Sequence, residues 1–237
     1  MRPEIPIRAA LTYIPNALAY LKFRHWFAGI RRENPALFAL IDDILRRFHD
    51  SGGLRWSGQD FKLYHLWRLC ISRKPQSILE FGFGSSTAIL AHFCREFGSN
   101  LVTIDESVES LGNTRSLCEI TAAHRITFIS SERKEDLQQE PPSCQYAWKS
   151  DCEYDFVVVD GPSINPDPRF RRKQICADAL ALRYPQQATI AVDGRFATYR
   201  HISHALGVSW VAQPSSFRMF AKTLFSNSYR SYSILYR

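Results

Sequence analysis

The densest chemistry in the chain lies in Glu80-Phe81-Gly82-Phe83-Gly84-Ser85-Ser86-Thr87. Two glycines one residue apart let a backbone turn sharply and let a ligand approach with no Cβ in the way. Ser85, Ser86 and Thr87 suit the first turn of a helix, where unpaired N–H groups favour a polar or anionic ligand. Such a turn is a cradle for a nucleotide-like molecule. Further along, Asp105-Glu106, Ser131-Glu132, Asp160-Gly161-Pro162 and Asp193 each follow a short apolar run. Asp105 stands 23 residues after Gly82, close to the roughly 20 that separate a glycine turn from a ribose-binding acid in nucleotide folds. Asp160, Asp193, His201 and His204 are the candidates for taking a proton from a hydroxyl nucleophile.

These residues need a scaffold that brings strand ends together, and the hydrophobic pattern describes one. Ile78 and Leu79 open a buried strand closed by Glu80, and further strands are expected at Leu101–Asp105, Ile126–Ile129, Tyr154–Asp160 and Ala188–Asp193. Helices are expected at Thr87–Phe97, Val108–Ala122 and Gln174–Tyr184, with two last strands at Val208–Ala212 and near Phe217–Leu224. Ser226–Arg237 reads as an edge strand or a tail. Alternation of strand with helix makes a mostly parallel, doubly wound Rossmann-like α/β sheet. Ahead of it, residues 1–57 read as a helical extension to a domain over 58–237. The extension holds an amphipathic stretch at residues 7–30, broken by Pro15, and a helix opened by Asn34-Pro35 and ended by Asp50-Ser51-Gly52-Gly53. A third helix runs from Ser57-Gly58 to Arg73-Lys74-Pro75.

Composition narrows the function. The chain has 237 residues, 45% of them hydrophobic, enough for one α/β domain with an extension. No apolar window reaches the roughly 18 residues of a membrane span, and no signal-peptide pattern opens the sequence. A cytoplasmic protein is expected. The net charge of +7 falls entirely within residues 1–76, which hold 13 Lys and Arg against 6 acids. A nucleic-acid enzyme would place that excess on its active face. Packing of the basic N-terminal segment on the core or on a second subunit is favoured over contact with an anionic membrane. Cys70, Cys94, Cys118, Cys144, Cys152 and Cys176 form no C-x-x-C pair, which disfavours zinc; reduced thiols are expected, with Cys144 and Cys152 the pair in doubt.

Glu80-x-Gly82-x-Gly84 resembles the acid-x-Gly-x-Gly motif of class I S-adenosylmethionine-dependent methyltransferases, and the strand ends that follow match that family over about residues 58–212. The resemblance implies a methyl donor held by Glu80, Gly82, Phe83, Gly84, Ser85 and Ser86. It implies that Asp105, with Glu106 adjacent, accepts the ribose hydroxyls and that Ser131 and Glu132 read the adenine. It places Asp160 where donor and acceptor meet. Two departures matter. Ser86 stands where many members carry a third glycine, and no Asn/Asp-Pro-Pro-Tyr motif follows the fourth strand, which disfavours base-amino methylation. The expected activity is therefore methyl transfer from S-adenosylmethionine to a small-molecule or saccharide-like acceptor, at oxygen. The rival readings are a non-catalytic Rossmann-like nucleotide-binding module and an NAD(P)-dependent oxidoreductase. Thr87 in place of the third glycine of Gly-x-Gly-x-x-Gly, and the acid at Glu80, weigh against the oxidoreductase.

Asp160 and Asp193 end neighbouring strands, about 4.8 Å apart. Two carboxylates that close need a divalent cation, a shared proton or a nearby arginine. Metal-dependent catechol-type relatives follow the second acid with asparagine, where this chain has Gly194. The expectation is a metal-free site neutralised by Arg195, with Asp160, Asp193 and His201 as catalytic candidates. Arg169, Arg171, Arg172 and Lys173, in the loop after Asp160, are candidate ligands for an acidic acceptor, with a solvated charge run the equal alternative.

Overall fold

The computed structural model describes residues 23–54, 58–119, 125–171, 173–207, 211–213 and 232–237. Helix α1 is described over residues 23–33; the rest of the basic stretch at 7–22 lies outside the described residues. Pro35 starts α2 (Pro35–Asp50), where a missing N–H costs nothing, and Phe38, Ile41 and Ile44 form its buried face. Helix α3 (Gln59–Arg73) begins after Gly58 and ends at Lys74, whose left-handed backbone stops it just before Pro75. Then follow β1 (Ser77–Phe81), α4 (Ser85–Phe97), β2 (Asn100–Asp105), α5 (Val108–Glu119) and β3 (Ile126–Ser130). The chain continues through β4 (Arg133–Asp136), β5 (Ser143–Tyr146), β6 (Phe156–Val159), the short α6 (Pro168–Arg171) and β7 (Ile175–Cys176). A 3₁₀ turn (Asp178–Ala181), β8 (Thr189–Asp193), α7 (Phe196–Leu206), β9 (Val211–Gln213) and β10 (Tyr232–Tyr236) complete it.

Seven strands form the central sheet in the order β3-β2-β1-β6-β8-β10-β9. Only β10 runs against its neighbours, pairing antiparallel with β8 and β9. The end of the chain is thus an interior strand, not the edge strand or tail that its composition indicates. Its pairing with β8 explains why: Tyr232, Ser233, Ile234 and Leu235 are all buried. The strand expected near Phe217–Leu224 falls outside the described residues.

A second correction concerns Gln174–Tyr184. Its apolar residues suit a helix, yet they form β7 and a 3₁₀ turn. Strand β7 pairs with β5, which pairs with β4, in a separate three-stranded sheet. That sheet and α7 share one core cluster with the central sheet; α2, α3 and α4 share the cluster on the other face.

Strand periodicity then assigns every site residue a face. Ile78, Phe156, Val158 and Ala191 belong to the α2–α4 core, while Leu79, Phe81, Val157, Val159, Ile190 and Val192 belong to the other. Side chains two apart share a face. Glu80, two after Ile78, is therefore directed toward the α2–α4 side, and Asp193, two after Ala191, follows it. The first residue past β1 and the second past β6 cross at close range. Gly82 has φ +107°, and a Cβ there would lie 2.9 Å from the Gly161 nitrogen; a Cβ on Gly161 would lie 2.3 Å from the Tyr146 hydroxyl and 2.9 Å from the Gly82 nitrogen. Gly161→Ala is expected to cost about 1–3 kcal/mol, as overpacking does. Tyr146→Phe in the same chain should recover part of it, the clash with Gly82 remaining; urea unfolding of the three variants checks this.

Candidate functional site

Helix α3 brings a residue to the site that the sequence pattern hides. Lys62 stands between Phe61 and Leu63, both buried, and is itself 6% exposed. Its ammonium donates to Asp160 Oδ2 and to Asp193 Oδ2, each at 2.8 Å, and lies 5.3 Å from the centre of the Tyr232 ring. Tyr232 is there because β10 pairs it with Asp193. An amphipathic helix with one lysine reads as a lysine facing water. The signal that it does not is its spacing: Leu66 and Leu69, four and seven residues on, are buried on the same stripe.

Two partly buried carboxylates and one buried ammonium set each other's protonation. Burial opposes the Lys62 charge, but Asp160 and Asp193 outweigh it and raise its pKa well above the ordinary value. Burial would also push the Asp160 carboxyl up; Lys62, with Arg195 further off, instead holds it far below the usual carboxylate range. Asp193 takes the remaining cost. Burial and the neighbouring Asp160 charge push its carboxyl up to about 6. Asp160 is the more open of the two, its side chain 31% exposed against 12% for Asp193.

The expected Arg195 partner is corrected accordingly. Its guanidinium reaches backbone and sulfur, not the aspartate side chains: it donates to the carbonyls of Asp160 and Pro162 and to the Cys176 thiol. Lysine prevails because α3 covers the α2–α4 face, where Asp193 emerges, whereas Arg195 follows Gly194 into the loop region behind. A divalent cation between the two acids does not fit the residues present, since the ammonium takes that position and Gly194 offers no side-chain ligand. Among the described residues no group of three or more His, Cys, Asp or Glu side chains is arranged to hold a metal ion.

The glycine turn is built as the strand-turn-helix pattern requires. Thr87 Oγ1 accepts the Gly84 N–H at 3.0 Å, a bond that a glycine at that position has no atom to make. Phe83 N–H donates to Asp105 Oδ2 and Ser107 N–H to Asp105 Oδ1, both at 2.8 Å. The β2 acid is thereby fixed beside the turn, its carboxyl raised by burial against those two bonds. Glu80 is fully buried. Register places it opposite Thr103, whose hydroxyl donates to Oε2 at 2.9 Å, while among the described residues Oε1 has no hydrogen-bond partner. Burial pushes the Glu80 carboxyl up to about 7, against the neighbouring hydroxyls of Ser86, Thr87 and Thr103. Glu106 accepts the Ser163 N–H at 3.0 Å and so ties the β2 end to the loop after β6. Ser131 donates its N–H to the Asp105 carbonyl at 2.9 Å; Glu132 is exposed, its carbonyl accepting the Ala147 N–H.

A cavity of about 460 Å³ lies against the turn, within the range of small-molecule sites. Phe83, Gly84, Ser85 and Ser86 line it on one side, residues 51–54 on another, and both Lys62 and Asp160 reach it. The structure does not bring His201 there. It sits midway along α7, where burial and neighbouring His204 lower its pKa, and among the described residues no hydrogen bond joins it to Asp160 or Asp193. Nor does Arg169 offer a free cation, because Asp167 occupies its guanidinium.

No protein-family model and no curated protein matches the chain. Solved structures do. One is a provisionally assigned O-methyltransferase from Klebsiella pneumoniae, with a TM-score of 0.52 and 15% identity over 83% of this chain and 89% of that one. Another is the Streptomyces achromogenes O-methyltransferase involved in tomaymycin synthesis, solved in complex with SAM, with a TM-score of 0.51 and 16% identity over 83% and 88%. The chain has the fold of the class I S-adenosylmethionine-dependent methyltransferases.

Buried acids with raised pKa values make stability fall as pH rises. Asp193 at about 6, Glu80 at about 7 and Asp178 at about 7 keep protons that the unfolded chain releases near 4. Their contribution is complete below pH 4 and is lost through pH 6–7. Asp160 acts oppositely, its contribution lost as pH falls below about 4. Urea unfolding should therefore show greatest stability near pH 4, with a decline between about pH 4 and 7 that Asp193→Asn makes shallower. Lys62→Met should cost about 3–5 kcal/mol at pH 8, where both carboxylates are left charged without a cation, and less at pH 5.

Proposed function

We propose that the chain transfers a methyl group from S-adenosylmethionine to a small-molecule or saccharide-like acceptor, at oxygen. The observation that carries this reading is the cavity that begins at the glycine turn beside Asp105 and reaches Asp160, in a sheet with the class I methyltransferase strand order. The residues present suit the donor. The turn borders the cavity at Phe83 and Gly84, with open space where a Cβ on Gly84 would stand, Asp105 has acceptor capacity beyond its two backbone bonds, and Glu80 Oε1, without a hydrogen-bond partner among the described residues, lies beneath the same turn.

The donor, when bound, supplies an electrophilic methyl group on a sulfonium. Asp105 would hold the ribose hydroxyls, with Glu106 bracing the adjoining loop. Ser131 and Glu132 would border the adenine. Asp160 accepts the hydrogen bond of the acceptor hydroxyl and aims its lone pair, and such alignment can supply much of the rate. A carboxylate held at low pKa is a weak base before the reaction. It suffices here, because an oxygen gaining a methyl group becomes far more acidic than a carboxylic acid and gives its proton up. Lys62 keeps Asp160 ionised for this and needs no metal to do so. Asp193 anchors Lys62 from behind.

Calorimetry with S-adenosylhomocysteine is expected to show binding, and Asp105→Ala to weaken it about tenfold to a hundredfold, the worth of a charge-assisted pair. NAD(P)H binding in its place would sink the reading. With an acceptor found by radiolabelled methyl transfer, Asp160→Asn should remove most turnover and leave donor affinity nearly intact. Activity should survive EDTA; restoration by Mg²⁺ after loss on chelation would show that a metal, not Lys62, serves the site.

A further inference from the structure

Strands β5 and β7 run parallel with Cys144 opposite Cys176, so their side chains share a face. The two sulfurs lie 3.9 Å apart, and both residues are buried, 1% and 0% exposed. Their surroundings differ. Cys144 Sγ donates to the Ile175 carbonyl at 3.4 Å and Cys176 Sγ to the Pro162 carbonyl at 3.8 Å, but Cys176 Sγ also receives Arg195 Nη1 at 2.7 Å. Burial would push the Cys176 thiol up, but Cys144 and Arg195 beside it bring it below the ordinary value, while the Cys144 thiol is pushed up by its partner and by burial. One sulfur is thus disposed to be the nucleophile, since the thiolate is the reactive form, and the other keeps its proton. The same guanidinium that faces Cys176 also holds the carbonyls of Asp160 and Pro162.

We infer that Cys144 and Cys176 are an oxidative-modification site that takes hydrogen peroxide and closes reversibly to a disulfide, loosening the Arg195 brace on the Asp160 loop. The Cys176 thiolate attacks one peroxide oxygen; an S–O bond forms, the O–O bond breaks, and hydroxide leaves and gains a proton as water. Cys144 then attacks the Cys176 sulfur; an S–S bond forms, the S–O bond breaks, and the departing hydroxide takes the Cys144 proton as a second water. Two thiols lose two electrons and two protons, and one peroxide becomes two waters. Paired strands stand about 4.8 Å apart, within the Cα separation a disulfide spans. The sulfurs close from 3.9 Å to about 2.05 Å. Arg195 then faces a disulfide sulfur that can no longer ionise, and one of its three contacts weakens. Cys152, exposed on its loop, supplies an internal reference for peroxide exposure.

The test is peptide mapping of the full chain after graded peroxide, with thiols alkylated on denaturation. The expected result is a linked Cys144–Cys176 peptide, removed by dithiothreitol. Cys144→Ser should give no link and instead a sulfenic acid at Cys176 trapped by dimedone. Both cysteines remaining fully alkylated at doses that oxidise Cys152 would overturn the site. Amide hydrogen exchange reads the brace without reference to any activity. The Asp160 and Gly161 amides, which both donate to the Phe81 carbonyl, should exchange at least tenfold faster in the oxidised chain and unchanged in peroxide-treated Cys144→Ser. Equal exchange in oxidised and reduced wild type would overturn the coupling to Asp160.

Discussion

An ammonium buried between two carboxylates is the interaction on which the site rests. Asp160 and Asp193 end adjacent strands, and the sheet leaves their separation no freedom. Partial burial limits how far water screens them, so their repulsion is met by a charge placed between them. Lys62 meets it from α3, before the first strand of the sheet. The packing of α3 on α4 and β10 therefore has an electrostatic reason besides its apolar one. If α3 moved by one turn, Leu66 rather than Lys62 would face the acids. The helices ahead of β1 thereby become part of the chemistry of the sheet's carboxyl edge.

The other constraint is steric. β1 and β6 are neighbours, and the chain leaving each must pass the other to reach the site. Both crossing residues are glycines because backbone meets backbone there, with the Tyr146 hydroxyl closing the third side. That crossing brings Asp160 within reach of the cavity beside Phe83 and Gly84. The turn and the Asp160 carboxylate thus border one cavity, held together by the crossing of the two strand ends.

On the opposite face, a three-stranded sheet and a 3₁₀ turn lie where an alternating pattern calls for helix. The substitution has a consequence. Strand pairing aligns Cys144 with Cys176, which helical spacing within one segment would not do, and it leaves Arg195 enclosed by carbonyls and sulfur. The guanidinium works as a clamp on the Asp160–Pro162 loop, distinct from the ammonium that neutralises the side chain.

Much of this was legible in the residues. Short apolar runs marked β1, β2, β3, β6 and β8, and in β1, β6 and β8 the run is unbroken because a central parallel strand is buried on both faces. Gly82, Gly84 and Thr87 marked the turn, since local backbone geometry depends on local residues. Asp105, Asp160 and Asp193 stood out as acids at strand ends, where open sheets bind ligands. What local pattern does not contain is which distant segment covers which strand end. Lys62 is 98 residues from Asp160 and 131 from Asp193, and nothing near any of the three announces the other two. The same holds for Tyr232 opposite Asp193, and for Ile175-Cys176, whose apolar character suits strand and helix alike until β5 supplies a partner. The sequence by itself determined the five parallel strands, the turn and the acids, because those follow from short-range periodicity and backbone sterics. The tertiary structure alone decided the cation that holds the acids, because a buried charge is placed by packing across the whole domain and its pairing has no local signature.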